Sequence, residues 1–402
     1  MRITTIGGAV FAVTAAAFLV PSAQAHAAGR GTLLHAERVG RLSRSQTASQ
    51  VARLTLPVRQ VRHGVDAFRL RYATVGVDGA PATASGLLVL PRVRARRLPT
   101  VSYTHGTLAA RADAPSRTLD SLAGASVLLF AGAGFATVAP DYLGLGDGPG
   151  RHPLVHAASE ATASLDMLRA AHTFAARRHR TLDPDTLVTG FSQGGQAAMA
   201  LGRLLQDGAD PGLKLAALAP MSGPYDIEHA ELPAVLDGRL DPSTSNYYIS
   251  YLMRSWQPIY HVFDRPEDVW QDPWGGRVAR LFDGRHDDVA ILERLPRDAT
   301  QLFTPAFLAR LAHPDGGLAA GLRANDTTCD WRPRVPVRLY GARGDRQVAF
   351  ANSQHCAARL RSHGADPRVV DVGAIDHFPS TLRATPRVVE WFATGVSDRG
   401  RK

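Results

Sequence analysis

The sequence predicts an α/β fold, a mostly parallel central sheet with helices on both faces. Three observations predict it. From about Val65 onward, short apolar runs of strand length recur along the chain. Between several of them lie longer stretches with apolar residues at helical spacing, and strands alternating with helices make parallel sheets covered on both sides. One long stretch, from Asp226 to about Trp331, breaks the rhythm, with no clear strand and several short amphipathic segments divided by Pro and Gly.

Taken in order, residues 68–75 and 85–90 flank Gly79-Ala80-Pro81 and read as a hairpin on the antiparallel edge of the sheet. Residues 98–103 and 135–141 are short apolar strands. Leu154, Ala158, Ala161, Leu165, Leu168 and Ala175 lie mostly three, four or seven apart, one face of a helix. Residues 185–191 read as a strand and 196–205 as a helix, and 215–219, 335–340 and 368–372 supply three more buried strands. The irregular stretch follows the sixth strand of this count and reads as a helical cap. Its aromatic side chains, among them Tyr247, Tyr248, Tyr251, Trp256, Tyr260, Trp270 and Trp274, either line an acyl pocket or form the cap's own core. The expected organisation is an export signal (1–25), an N-terminal segment (26–64), two core parts (65–227 and 332–395), a cap between them (228–331) and a flexible tail (396–402).

Composition narrows the function. A hydrophobic share of 45% and a charged share of 20% belong to a globular protein. The formal charge of +10 invites a nucleic-acid reading, but Lys occurs only at Lys214 and Lys402 and the arginines are scattered. No aromatic-interleaved or DNA-reading motif accompanies them, so no nucleic-acid partner is expected. Arg2, the apolar run of residues 9–20, Pro21 and Ala23-Gln24-Ala25 form a secretory signal cleaved near Ala25. Secretion into an oxidising compartment lets Cys329 and Cys356, the only cysteines, form one bridge. Closing that loop stabilises the fold by roughly 3 kcal/mol. No phosphate-binding loop, zinc signature or other metal or cofactor motif is present. Asn325-Asp326-Thr327 is a glycosylation sequon.

Gly190-Phe191-Ser192-Gln193-Gly194 is a G-x-S-x-G sequence between an apolar strand and a small-residue helix. Such a nucleophile elbow turns so tightly that Gly190 and Gly194 must be tiny, and it lifts the Ser192 hydroxyl clear of the sheet. The N–H of Gln193 then points at a developing oxyanion, beside a helix N-terminus. A serine hydroxyl requires a base, and in the α/β-hydrolase fold the chain order is Ser, acid, His. Only His377 follows a final strand and precedes a closing helix. His229, His261, His286, His313 and His355 read as surface or cap positions. Asp345, in the loop after residues 335–340, is the candidate acid that would hold the imidazole in one tautomer. Asp376 is its rival, though a residue adjacent to His377 rarely reaches the ring. Thr107, in the loop after 98–103, is the candidate second oxyanion donor, and His105 reads as a structural hydrogen-bonding residue.

Tyr103-Thr-His-Gly-Thr107, Pro140-Asp-Tyr-Leu-Gly-Leu-Gly146, Leu165-Asp-Met-Leu-Arg-Ala-Ala171 and Gly190-Phe-Ser-Gln-Gly-Gly195 occur in this order. Together they resemble the secretory lipase family of α/β hydrolases, similar to lipase A of Candida antarctica, over roughly residues 65–379. The resemblance implies a secreted esterase or lipase with a lid after the sixth strand. It puts Ser192, Asp345 and His377 at the triad positions, Gln193 and Thr107 at the oxyanion hole, and Asp141 and Tyr142 in the floor. Two departures stand out: Phe191 where Tyr is common, and Arg-Gln-Val-Ala after Asp345 where the family ends in Val-Pro. The expected substrate is a small-molecule or lipid ester, with transient lipid-interface contact and oligomeric state left open. A prolyl-aminopeptidase-like enzyme is the first alternative and would require an amine-binding acid in the cap, for which Glu228, Glu231 and Asp237 are available. A non-catalytic binding protein is the second.

Overall fold

In the computed structural model, which describes residues 29–399, the apolar runs become strands. These are β1 (Leu33–Leu42), β2 (Val65–Val75), β3 (Pro81–Pro91), β4 (Arg97–Thr104), β5 (Ala136–Pro140), β6 (Thr181–Phe191), β7 (Lys214–Met221), β8 (Arg338–Gly341) and β9 (Arg368–Asp371). They form one sheet in the order β1-β2-β3-β5-β4-β6-β7-β8-β9. β1, β2 and β3 pair antiparallel, as do β3 and β5, and every pairing from β5 through β4 to β9 is parallel. The expected signal at 1–25 lies outside the described residues.

Successive residues of the central strands point to opposite faces, and each face is covered. Val188 joins a core with Leu165 and Leu201, from helices α3 (Ala157–Arg177) and α4 (Gln193–Gln206). Leu187 joins another with Val51, Leu128 and Val388, from α1 (Arg44–Arg53), α2 (Leu122–Gly132) and α7 (His377–Arg399). α5 (Pro242–Tyr260) belongs to the cap, and α6 (Ala351–Ser362) follows β8.

Three boundaries differ from expectation. The N-terminal segment expected at 26–64 contributes to the sheet, because its residues 33–42 form β1, which pairs with β2 and takes the edge assigned to the hairpin. The turn from β1 into α1 is fixed by Ser43, whose side chain accepts from the Gln46 N–H while Gln46 reaches back to the Ser43 N–H. The extra strand places the cap after β7. The closing helix continues to Arg399, past the expected tail boundary at 396, and residues 400–402 lie outside the described residues.

Between β7 and β8 the chain is helical, with a separate apolar core around Trp256, Trp270, Phe303 and Phe307. Leu154 and Val155, from the loop ahead of α3, share that core and seat the cap on the sheet's C-terminal edge. Cys329, at the end of the cap, is bonded to Cys356 of α6, with a Cα–Cα distance of 5.3 Å. Asn325 of the sequon is buried. Its Oδ1 accepts from Ala157 N and its Nδ2 donates to Tyr260 Oη and Gly321 O, so the folded chain has no free amide there to glycosylate.

Candidate active site

Strand β6 ends at Phe191 and α4 begins at Gln193, which leaves one residue for the turn. Ser192 takes a left-handed φ of 58° with ψ −126°. That conformation is costly for a residue with a Cβ and persists only where the surroundings impose it. They do so through two glycines. A Cβ on Gly190 would lie 2.0 Å from Thr104 Oγ1, and one on Gly194 would lie 2.0 Å from the Thr104 carbonyl oxygen. The Ser192 N–H donates to Met221 O on β7, and Thr104 Oγ1 donates to Thr189 O and Gly194 O, tying β4 across the elbow.

The loops after β8 and β9 bring two more side chains to the turn. His377, the first residue of α7, has Nε2 2.9 Å from Ser192 Oγ and Nδ1 2.7 Å from Asp345 Oδ2. The other Asp345 oxygen accepts from the N–H groups of Gln347 and Val348, each at 2.9 Å. These are backbone donors, so the departure from the family ending after Asp345 leaves the carboxylate's support intact. Asp376, the rival acid, accepts instead from the N–H of Arg346 and of His377 itself, and so fastens the two loops together. The Phe191 ring lies 4.6 Å from the imidazole, filling the place where a tyrosine was the expected residue.

Two cavities meet at Ser192. The larger, about 210 Å³, is bordered by His105, Thr107, Tyr247, Asp288, Phe378 and His377. The smaller, about 90 Å³, is walled by aliphatic side chains including Leu154, Ile227, Leu232, Val235 and Ile249. Thr107 and Tyr248 border both, and Gln193 borders the smaller one. Neither the Thr107 N–H nor the Gln193 N–H has a hydrogen-bond partner among the described residues, which leaves two backbone donors at the serine. The cap aromatics divide between their two expected tasks. Trp256 and Trp270 are core residues, while Tyr247 and Tyr248 face the larger cavity.

A buried polar cluster behind the elbow was not anticipated. The Gln193 side-chain amide donates to Glu160 Oε1 at 2.6 Å and to His152 Nε2 at 2.7 Å. His152 Nδ1 in turn donates to Leu143 O. Burial pushes the Glu160 carboxyl up to about 8 and holds His152 down at about 4. The sequence carried one signal for it, an acid inside a helix whose neighbouring positions are small and apolar. His105 is also buried, held down to about 4 by burial, with its ring nitrogens against Gly106 O and Asp141 O. Asp141 receives Ser85 and Ser116, and Tyr142 donates to His105 O, so both brace the floor.

The arrangement has close counterparts among solved structures. No family model matches the chain, and no curated protein matches it in sequence. The esterase LipA of Xanthomonas oryzae, a rice cell wall degrading enzyme, is 29% identical, with 92% of this chain and all of that chain covered and a TM-score of 0.81. A Legionella pneumophila protein is 28% identical over 90% of this chain and 98% of its own, with a TM-score of 0.82. Lipase A of Candida antarctica is 14% identical over 88% and 79%, with a TM-score of 0.66. The fold is the α/β-hydrolase fold of lipases and esterases. Within this α/β-hydrolase fold the cap sits over the C-terminal ends of the parallel strands, where ligands bind in open α/β sheets.

Proposed function

We propose that this α/β hydrolase is an exported serine esterase that cleaves carboxylic esters of short acyl chains through an acyl-enzyme on Ser192. The observation that carries the reading is the continuous relay from Asp345 through His377 to Ser192, at a serine held in a strained turn. In the proposed cycle His377 Nε2 takes the hydroxyl proton as Ser192 Oγ attacks the ester carbonyl, and the Gln193 and Thr107 N–H groups hold the oxyanion. The imidazolium, stabilised by Asp345, then protonates the leaving alcohol. Water, deprotonated by the same imidazole, releases the acid and frees the serine. Losing one oxyanion donor in such a site costs about 3 kcal/mol.

The smaller cavity supports the chain-length reading. It is aliphatic, lies at Ser192 and Gln193, and at about 90 Å³ holds roughly three groups of water size. The disulfide supports export. Of the acids that a peptidase would use, Asp237 is exposed and pairs with Arg239, and Glu228 lies outside both cavities. Glu231 does border the smaller cavity, but its Oε2 accepts from Ala349 N and Asn352 Nδ2, and burial raises it to about 8. A carboxyl that keeps its proton at neutral pH is a poor ligand for an ammonium group.

Initial rates on p-nitrophenyl esters of rising acyl length and on an aminoacyl anilide, with Ser192→Ala as the control, test the proposal. The expected profile peaks at short acyl chains and vanishes in the variant. A rate that climbs with long chains at an interface replaces esterase with lipase, and anilide turnover in place of ester turnover contradicts the reading.

A further inference from the structure

The end of the sheet opposite Ser192 carries a concentration of arginine that the proposed esterase chemistry does not use. Arg92, Arg94 and Arg96 lie on the β3–β4 connection, Arg97 opens β4, and Arg177, Arg178 and Arg180 lie where α3 turns into β6. The two segments are adjacent. Thr181 N donates to Arg96 O, Arg180 donates to Val93 O and Ala95 O, and Arg97 pairs with Thr181 in the β4–β6 register. All but Arg180 are exposed. Only Arg97 has an acidic partner among the described residues, Asp183 at 3.0 Å. Arg178 lies over the Phe68 and Phe174 rings, which fixes its guanidinium at the surface.

We propose that this arginine end is a docking surface for a linear acidic polysaccharide. Arg92 follows β3 next to Gly64, ahead of β2, while Arg97 and Arg180 flank the start of β4 and β6. The charges therefore cross the ends of β2, β3, β5, β4 and β6, about 19 Å at the usual strand spacing. A row of that kind matches a polymer with repeating carboxylate or sulfate groups, each of which a guanidinium can bind through two N–H groups. The other large polyanions fit less well. Among the described residues the exposed large apolar side chains are Val39, Val58, Val77, Leu236, Val289 and Phe378, none of them in these two segments, so the patch offers a bilayer no apolar side chain to insert. Phe68 and Phe174 are covered by Arg178 and offer no free ring for a nucleic-acid base. β6 (Thr181–Phe191) separates Arg180 from Ser192 and spans roughly 33 Å at 3.3 Å per residue, so a chain docked by its arginine end holds the cap and Ser192 outward.

Chromatography on immobilised heparin with a salt gradient, followed by solution titration with heparin and with polygalacturonate, tests this. The patch variant is Arg94→Glu/Arg96→Glu/Arg177→Glu, with the milder Gln triple beside it. The control is Arg280→Glu/Arg297→Glu/Arg323→Glu in the cap, which changes net charge equally at exposed positions. Ester turnover checks that each variant is folded, and the Gln triple decides the matter if the Glu triple is not. The patch variant is expected to elute at lower salt and to bind at least tenfold more weakly at physiological ionic strength, with the Gln triple intermediate and the cap control close to wild type. Equal weakening in patch and cap variants, or no retention of the wild type, overturns the proposal. Tighter binding to duplex DNA or to anionic vesicles than to either polysaccharide overturns the choice of partner.

Discussion

The Nε2 of His377 stands 2.9 Å from the Oγ of Ser192, although the two residues are 185 positions apart in the chain. The contact depends on the parallel sheet, which brings the loop after β9 beside the end of β6. It also assigns the acid, because the other imidazole nitrogen is 2.7 Å from Asp345 and Asp376 faces backbone N–H groups. Asp345→Asn is therefore expected to lower kcat by about 10⁴-fold with little effect on folding, the loss seen when a triad acid becomes an amide. Asp376→Asn should stay within tenfold of wild type. Steady-state kinetics on one ester check both, and the reverse ranking would make Asp376 the acid.

Gly194→Ala is expected to abolish activity and to reduce the folded yield. The added Cβ meets the Thr104 carbonyl oxygen at 2.0 Å, and that backbone group belongs to β4 and cannot rotate away. Gly208→Ala, with no atom near its Cβ but a φ of 75°, is the control for backbone strain alone. Soluble yield and ester turnover should separate the two, with near-normal turnover only at Gly208.

Stability should fall as pH rises from 6.5 to 8.5. Burial raises Glu160 and Glu231 to about 8 and Asp326 to about 7, far above their values in an unfolded chain. In that window the folded state holds protons that the unfolded state has released, so stability is lost with rising pH. Burial also lowers His105, His152 and His156 to about 4, which pulls the other way only below about pH 6.5, where unfolded histidines are protonated. Thermal unfolding across this range measures the slope. Glu160→Gln, which keeps an oxygen for Gln193, should make it shallower and raise the melting temperature at pH 8.5. A melting temperature that climbs from pH 6.5 to 8.5 contradicts the assignment.

The Cys329–Cys356 bridge ties the end of the cap to α6, behind the loop that carries Asp345. Its removal is expected to cost about 3 kcal/mol in the chain-entropy account. Urea unfolding of Cys329→Ser/Cys356→Ser against wild type should show the midpoint shift. An unchanged midpoint would mean that the bridge adds nothing to the fold.

Most of the sheet was legible because its strands are apolar runs with turn residues between them, and the elbow because its two glycines are forced. β1 was not, since as an edge strand it buries little beyond Leu33 and its alternation is broken at Arg38 and Val39, where its pairing with β2 shifts register. α2 escaped for the opposite reason. Residues Ala123 to Gly132 are all buried, and a helix apolar on every side has no period to read. At the site, Ser192, His377 and Asp345 could be proposed from motif and chain order, whereas the Gln193–Glu160–His152 cluster joins residues that only the packing of α3 against α4 brings together. Glu231, which the sequence leaves available to an amine, is instead committed to the Ala349 N–H, a contact that depends on how the cap's entry turn meets the loop after β8.

The central claim, that Ser192 is the nucleophile, is tested most directly by mass spectrometry after reaction with an alkyl fluorophosphonate. A single phosphonyl adduct on the peptide containing Ser192 is expected, in step with loss of ester turnover, absent in Ser192→Ala and slowed in His377→Ala. Full inactivation with the adduct on another residue, or ester turnover that survives in Ser192→Ala, would contradict the account.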